Sequence, residues 1–198
     1  MKSNDQHSPE SWRVFIAIEL PPDVRRRLTQ HINQLRAAVP DVRASWSREQ
    51  NLHLTMKFLG DTPVANIEKL AQASERAARS SAPIKLVIGG CGAFPPRGQP
   101  RVLWIGIEDT SNNLATLQQR LEKECATEGF ACESRPFHPH LTIARVRSPH
   151  DSRRLAALHQ EMGFSAEIVA AAELSVIRSE LHREGSRYAT ISRHAFFI

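Results

Sequence analysis

The chain has 198 residues, 41% of them hydrophobic, and a net charge of +5 that falls in residues 1–99. That length and apolar share suit one domain or two small lobes around a real core, and exclude a disordered chain. No apolar run nears the roughly 20 residues of a membrane-crossing helix, residues 1–10 lack the apolar core of a signal peptide, and the mild charge admits a phosphate-bearing partner without demanding one.

Residues 1–12 read as a disordered leader. Arg13 to Glu19 read as a short apolar strand stopped by Pro21-Pro22. Val24, Leu28, Ile32, Leu35 and Val39 follow at helical spacing, and Pro40 ends that helix. Leu52 to Leu59 form a second strand. Leu52, Leu54, Met56 and Phe58 share one of its faces, while His53, Thr55 and Lys57 share the other. Gly60-Asp61-Thr62-Pro63 is expected to open a helix, with Thr62 as its cap and Pro63 in its first turn. Ile84 to Ile88 read as a strand and Gly89 to Pro100 as a Gly/Pro-rich loop.

The pattern then restarts. Arg101 to Glu108 echo Arg13 to Glu19; a helix follows on Leu114, Leu117 and Leu121, with Gly129 as its stop. Pro139 to Val146 form a strand, and Ser148-Pro149 open a helix as Thr62-Pro63 do. Strand-like runs at Glu173 to Ile177 and Tyr188 to Phe197 close the chain. The copies are spaced 88 residues apart at Arg13 and Arg101, and 87 at His53 and His140. This is a duplicated unit, with one copy over about 13–98 and the other over about 101–198, joined in a single domain over 13–198.

Each copy carries one tetrapeptide on its second strand: His53-Leu54-Thr55-Met56 and His140-Leu141-Thr142-Ile143. Strand geometry sets each histidine beside its threonine, with the apolar residues anchored behind. A pseudo-two-fold arrangement brings both imidazoles to one cleft. Histidine can give or take a proton near neutral pH, so a pair whose environments differ supplies one acid and one base. The threonine hydroxyls can donate to phosphate oxygens. With no nucleophilic serine or cysteine motif and no Gly-rich phosphate loop, the constellation suits in-line displacement at phosphorus. A metal reading rests on His138, His140, His150 and His53, and lacks a carboxylate or cysteine at completing spacing. Cys91, Cys125 and Cys132 are odd in number and read as inert thiols of a reducing compartment.

With these motifs, the chain resembles the LigT-like RNA 2′,3′-cyclic phosphodiesterases of the two-histidine (2H) phosphoesterase superfamily, also described as 2′-5′ RNA ligases. The likeness covers nearly all of the chain after residue 12, and includes Arg13 to Pro21, Trp46, Asn51 to Gly60, Pro100 to Trp104, Pro139 to Arg145 and Leu181 to Tyr188. The resemblance implies an α+β fold: two antiparallel sheets with flanking helices around a central cleft, pseudo-two-fold symmetric. It implies opening of an RNA 2′,3′-cyclic phosphate to a 2′-phosphomonoester, reversible as 2′-5′ ligation without ATP. His53 carries over as proton donor, His140 as proton acceptor, and Thr55, Thr142 and Arg145 as phosphate-binding residues. No metal or organic cofactor is implied. The expected partner is RNA with cyclic phosphate ends, tRNA fragments among them, and the expected protein is a cytoplasmic monomer. Arg145 differs in strand parity from His140, so it must sit where the strand bends or ends. The residues alone leave the acid and base interchangeable. Hydrolysis of small cyclic nucleotides, or a silent RNA-binding module, stand as alternatives.

Other residues carry weaker expectations. Lys57 shares a face with His53 and is a cleft candidate. Arg97 and Arg101 are candidates for RNA contact. Arg25-Arg26-Arg27 read as a solvated helix face, and Phe15 and Tyr188 as core packing rather than base-stacking surfaces.

Overall fold

The computed structural model describes residues 10–147, 151–183 and 185–197. Among these, the strands are β1 (Ser11–Glu19), β2 (Ala44–Trp46), β3 (His53–Pro63), β4 (Ile84–Phe94), β5 (Val102–Glu108), β6 (His140–Val146), β7 (Glu167–Ala171), β8 (Glu173–His182) and β9 (Gly185–Ala195). The helices are α1 (Pro22–Ala38), α2 (Ile67–Arg79), α3 (Asn113–Thr127) and α4 (Ser152–Met162). The strands build two antiparallel sheets, β3-β1-β8-β9 and β2-β6-β5-β4-β7. The fold is α+β, as the sequence implies.

Sheet membership crosses the boundary between the sequence copies. β4 closes the first copy but pairs with β5, the opening strand of the second. β8 lies in the second copy but pairs with β1. Each opening strand thus has its second edge covered by a strand of the other copy, which removes two open sheet edges. Neither sheet is complete without both halves. Val14, Ile16, Ile18, Leu54, Leu103, Ile105 and Leu141 sit in one buried core with the apolar faces of the helices. α2 packs on β8, β9 and α3, while α4 packs on β4 and α1.

Several boundaries differ from the sequence reading. β1 starts at Ser11, inside the expected leader, and Trp12 stacks beneath the guanidinium of Arg178 at 4.3 Å. Residues 1–9 of that leader lie outside the described residues. Those two extra residues of β1 pair with Thr62 and Pro63. Thr62 is therefore a strand residue whose hydroxyl donates to the Gly60 carbonyl, not a helix cap, and α2 begins only at Ile67. Gly89 to Phe94 extend β4 rather than loop, because β5 offers them a pairing edge; a bulge at Gly90, with φ +71°, takes up the extra residue. The Ser148-Pro149 helix opening lies outside the described residues, and α4 is described from Ser152. β7 escaped the sequence reading because it pairs only at the sheet edge and carries alanines at two of its five positions.

Candidate active site

His53 opens β3 and His140 opens β6. Behind them Leu54 and Leu141 are buried, which fixes the strand face and turns both imidazoles outward. Each ring is held the same way. His53 Nδ1 donates to the Asn51 carbonyl at 2.8 Å, and His140 Nδ1 donates to the His138 carbonyl at 2.6 Å. With Nδ1 so committed, Nε2 of each ring is left for chemistry. Thr55 Oγ1 lies 3.0 Å from His53 Nε2. β3 and β6 approach each other, and a cleft of about 1280 Å³ between them is lined by both histidines, both threonines and Arg145.

The strand bend that Arg145 requires is present. The β5–β6 register slips at Ile143, so Ile143 and Ala144 both face the core and Arg145 returns to the cleft face. β3 slips at the equivalent residue. Ala17 pairs with Thr55 and Ile16 with Lys57, which leaves Met56 unpaired as a bulge. Residues 53–58 and 140–145 consequently show the same order of buried and exposed positions. Phe58 is thus the counterpart of Arg145, and Lys57 of Ala144.

This corrects the Lys57 expectation. Strand parity sets it beside His53, but the bulge reverses that parity. Lys57 is buried and donates to Glu122 at 2.6 Å and to the Ala131 carbonyl at 2.7 Å, away from the cleft. Phe58 takes the cleft position, with the Arg13 guanidinium 4.8 Å over its ring. Sequence reasoning missed both residues; aligning Phe58 with Arg145 across the repeat would have flagged them. It also missed the concentration of charge. Among the described residues, six arginines line the cleft (Arg13, Arg36, Arg48, Arg145, Arg147 and Arg183) against one carboxylate, Glu49. Arg97 and Arg101 are exposed and outside this lining. Arg27 pairs with Glu167 and lies over the Phe164 ring, so of the expected solvated face Arg25 and Arg27 are half-buried and Arg26 is exposed.

The two imidazoles differ in their neighbours. His53 stacks on Phe15 at 4.7 Å and meets the edge of Tyr188 at 5.5 Å. Phe15 is buried with Ala17 and Ile177, so it packs as expected while also flooring the cleft beneath His53. Burial lowers the pKa of His53 to about 4; the Asn51 carbonyl and the Glu19 carboxylate work against that shift, and His140 adds to it. His140 meets the edge of Phe94 at 5.2 Å. Burial lowers its pKa as well, opposed by the His138 carbonyl and reinforced by the Arg145 guanidinium. Tyr188 lies near Arg13 and Arg145, and its hydroxyl is held above its ordinary pKa by burial.

Of the sequence-based metal candidates, His138 offers its carbonyl to orient His140, and His150 lies outside the described residues. All three cysteines are free.

A family model described as the 2′-5′ RNA ligase superfamily matches residues 20–183. The RNA 2′,3′-cyclic phosphodiesterase of Methanothermobacter thermautotrophicus is 31% identical, over 89% of this chain and 94% of its own. The RNA 2′,3′-cyclic phosphodiesterase of Escherichia coli is 29% identical, over 94% of this chain and 97% of its own. Among solved structures, Escherichia coli LigT complexed with 3′-AMP superposes with a TM-score of 0.72 at 26% identity, covering 94% of this chain and 99% of that one.

Proposed function

The chain belongs to the 2′-5′ RNA ligase superfamily, and from that premise we propose that it is an RNA 2′,3′-cyclic phosphodiesterase that opens the ring to a 2′-phosphomonoester. The observation that carries this reading is the pair of histidines with matching backbone anchors, facing one arginine-lined cleft.

In the proposed reaction the phosphate sits between the two imidazoles, held by Thr55, Thr142 and Arg145. A guanidinium gives phosphate charge-assisted hydrogen bonds, and the hydroxyls donate to the non-bridging oxygens. His140 Nε2 takes a proton from water, the water oxygen attacks phosphorus, and the bond to the 3′ oxygen breaks. His53 gives its Nε2 proton to that oxygen. The product carries a 2′-phosphate and a free 3′-hydroxyl. Because Nδ1 of His53 already bears the proton donated to Asn51, the acid form is the imidazolium. Burial disfavours that cation in the free protein; the bound phosphate anion and Glu19 stabilise it in the complex. With a 5′-hydroxyl replacing water as the nucleophile on the cyclic phosphate, the same displacement breaks the bond to the 3′ oxygen and gives 2′-5′ joining without ATP. The remaining arginines and the face of Phe58 suit an RNA strand leaving the cleft, through phosphate pairing and base stacking.

The test uses an RNA ending in 2′,3′-cyclic phosphate, with chelator present, and maps the product. Ring opening to a 2′-phosphate is expected. A 3′-phosphate product, or turnover unchanged in His140→Ala, overturns the reading. Comparison with mononucleotide cyclic phosphates tests the substrate class, and a longer RNA is expected to be preferred.

A further inference from the structure

A second histidine pair lies away from the cleft, and the proposed reaction does not use it. His31 is on the buried face of α1, with Leu28 and Ile32. His159 is on the buried face of α4, with Leu155 and Ala156. Cys91 is on β4, beyond the Gly90 bulge. Plain alternation would set Cys91 on the cleft side with Gly89. The bulge restores it to the side of Ile88, opposite Ile105, where α4 covers the sheet. Gly92, next along, faces the other way, under the Trp104 ring.

The three donor atoms converge. His31 Nε2 and His159 Nδ1 are 3.0 Å apart, and the Cys91 Sγ completes a group whose atoms all lie within 4.8 Å of one another. A tetrahedral zinc with nitrogen and thiolate ligands needs donor separations of roughly 3.3–3.7 Å. The group requires shifts on the order of 1 Å to reach that geometry. The outer contacts suit a cation as well. His159 donates Nε2–H to the Trp104 carbonyl at 3.0 Å, which leaves Nδ1 as a lone pair aimed at His31. A ligating imidazole is characteristically oriented by such a carbonyl.

We propose that His31, Cys91 and His159 supply three ligands to a borderline-soft divalent cation, with zinc as the type ion and water in the fourth position. Two imidazoles and a thiolate favour that class over magnesium or calcium, which take oxygen ligands. Without the cation, His31 Nε2–H donates to His159 Nδ1. On binding, the His31 proton moves to Nδ1 of the same ring, Nε2 turns its lone pair to the metal, and the Cys91 thiol releases one proton to solvent. The cation then ties α1, β4 and α4, which are far apart in sequence, behind the sheet that carries His140.

Protein stripped with chelator and dialysed is titrated with Zn(II), and in parallel with Co(II). One ion per chain is expected, with a thiolate-to-cobalt charge-transfer absorption and one proton released per ion in calorimetry across buffers. The melting temperature is expected to rise by roughly 5–10 °C at a hundredfold excess over Kd. Cys91→Ser should abolish the absorption and the melting shift while leaving hydrolysis of RNA cyclic phosphate intact. Cys132→Ser should keep both signals. No thiolate absorption, or signals that persist in Cys91→Ser, would overturn the proposal.

Discussion

The strands that carry His53 and His140 share their letters, their carbonyl anchors and their bulge, yet sit in different surroundings. Glu19 faces His53 across the β1–β3 ladder and favours a cation there. Arg145 acts on His140 and disfavours one. In the proposed mechanism these neighbouring charges favour opposite roles for two histidines that the repeated sequence leaves equal, against the larger effect of burial, which lowers both. The counterpart positions diverge likewise. Where the second copy has Arg145, the first has Phe58 beneath Arg13. Where the second has the small Ala144, the first has Lys57 in a buried ion pair.

The largest expected effect is on the histidines. His53→Ala and His140→Ala should each lower kcat by roughly 10²–10⁴-fold, and the double variant should be little worse than the worse single one, because the two act in one step. Multiplicative losses would break the pairing.

Next is the Lys57 and Glu122 pair, whose Lys57 side chain is 2% exposed. Glu122→Ala leaves a buried charge without its partner and should cost about 3–5 kcal/mol in denaturant unfolding, with kcat unchanged at low temperature. A loss of activity without a loss of stability would return Lys57 to the cleft.

Arg145 and Phe58 compare the counterparts directly. Arg145→Ala should reduce kcat/KM by roughly 10–100-fold, the worth of a charge-assisted hydrogen bond of about 1.5–3 kcal/mol. Phe58→Ala should cost less than about tenfold, within the range of a stacking contact. Equal losses would mean that the two lobes grip the RNA alike.

The smallest effect lies in the pH profiles. The proposed base must be neutral, so rate falls as pH drops through the pKa of His140. The proposed acid must be charged, so rate falls as pH rises through that of His53. Burial lowers both in the free protein, which sets the maximum of kcat/KM on the acid side of 6.5. Bound phosphate raises His53, so the basic limb of kcat should lie at higher pH than that of kcat/KM. Glu19→Gln should draw this limb back to lower pH, and an unmoved limb would remove Glu19 from the account.

Much of this was legible beforehand. Both tetrapeptides and their strand placement follow from alternation and the 87-residue spacing of the histidines, while the α+β class came with the family resemblance. Arg145 was a candidate in spite of its parity, and the bulge at Ile143 supplies the reason. What was hidden depends on which backbone pairs with which. No local pattern marks the bulge at Met56 that sends Lys57 inward, or the one at Gly90 that keeps Cys91 on the helix side. The exchange of β4 and β8 between sheets depends on covering distant edges. Net charge understated the cleft, since arginines from both halves meet there while their acidic balance lies elsewhere.

The central claim is that His53 protonates the leaving oxygen. A cyclic substrate whose 3′ oxygen is replaced by sulfur expels a thiolate that needs no acid, since thiols are far more acidic than alcohols. Measured on this substrate, His53→Ala should regain most of the parental rate while His140→Ala stays inactive. Rescue of His140→Ala instead would exchange the roles, and contradict the assignment that the resemblance implies.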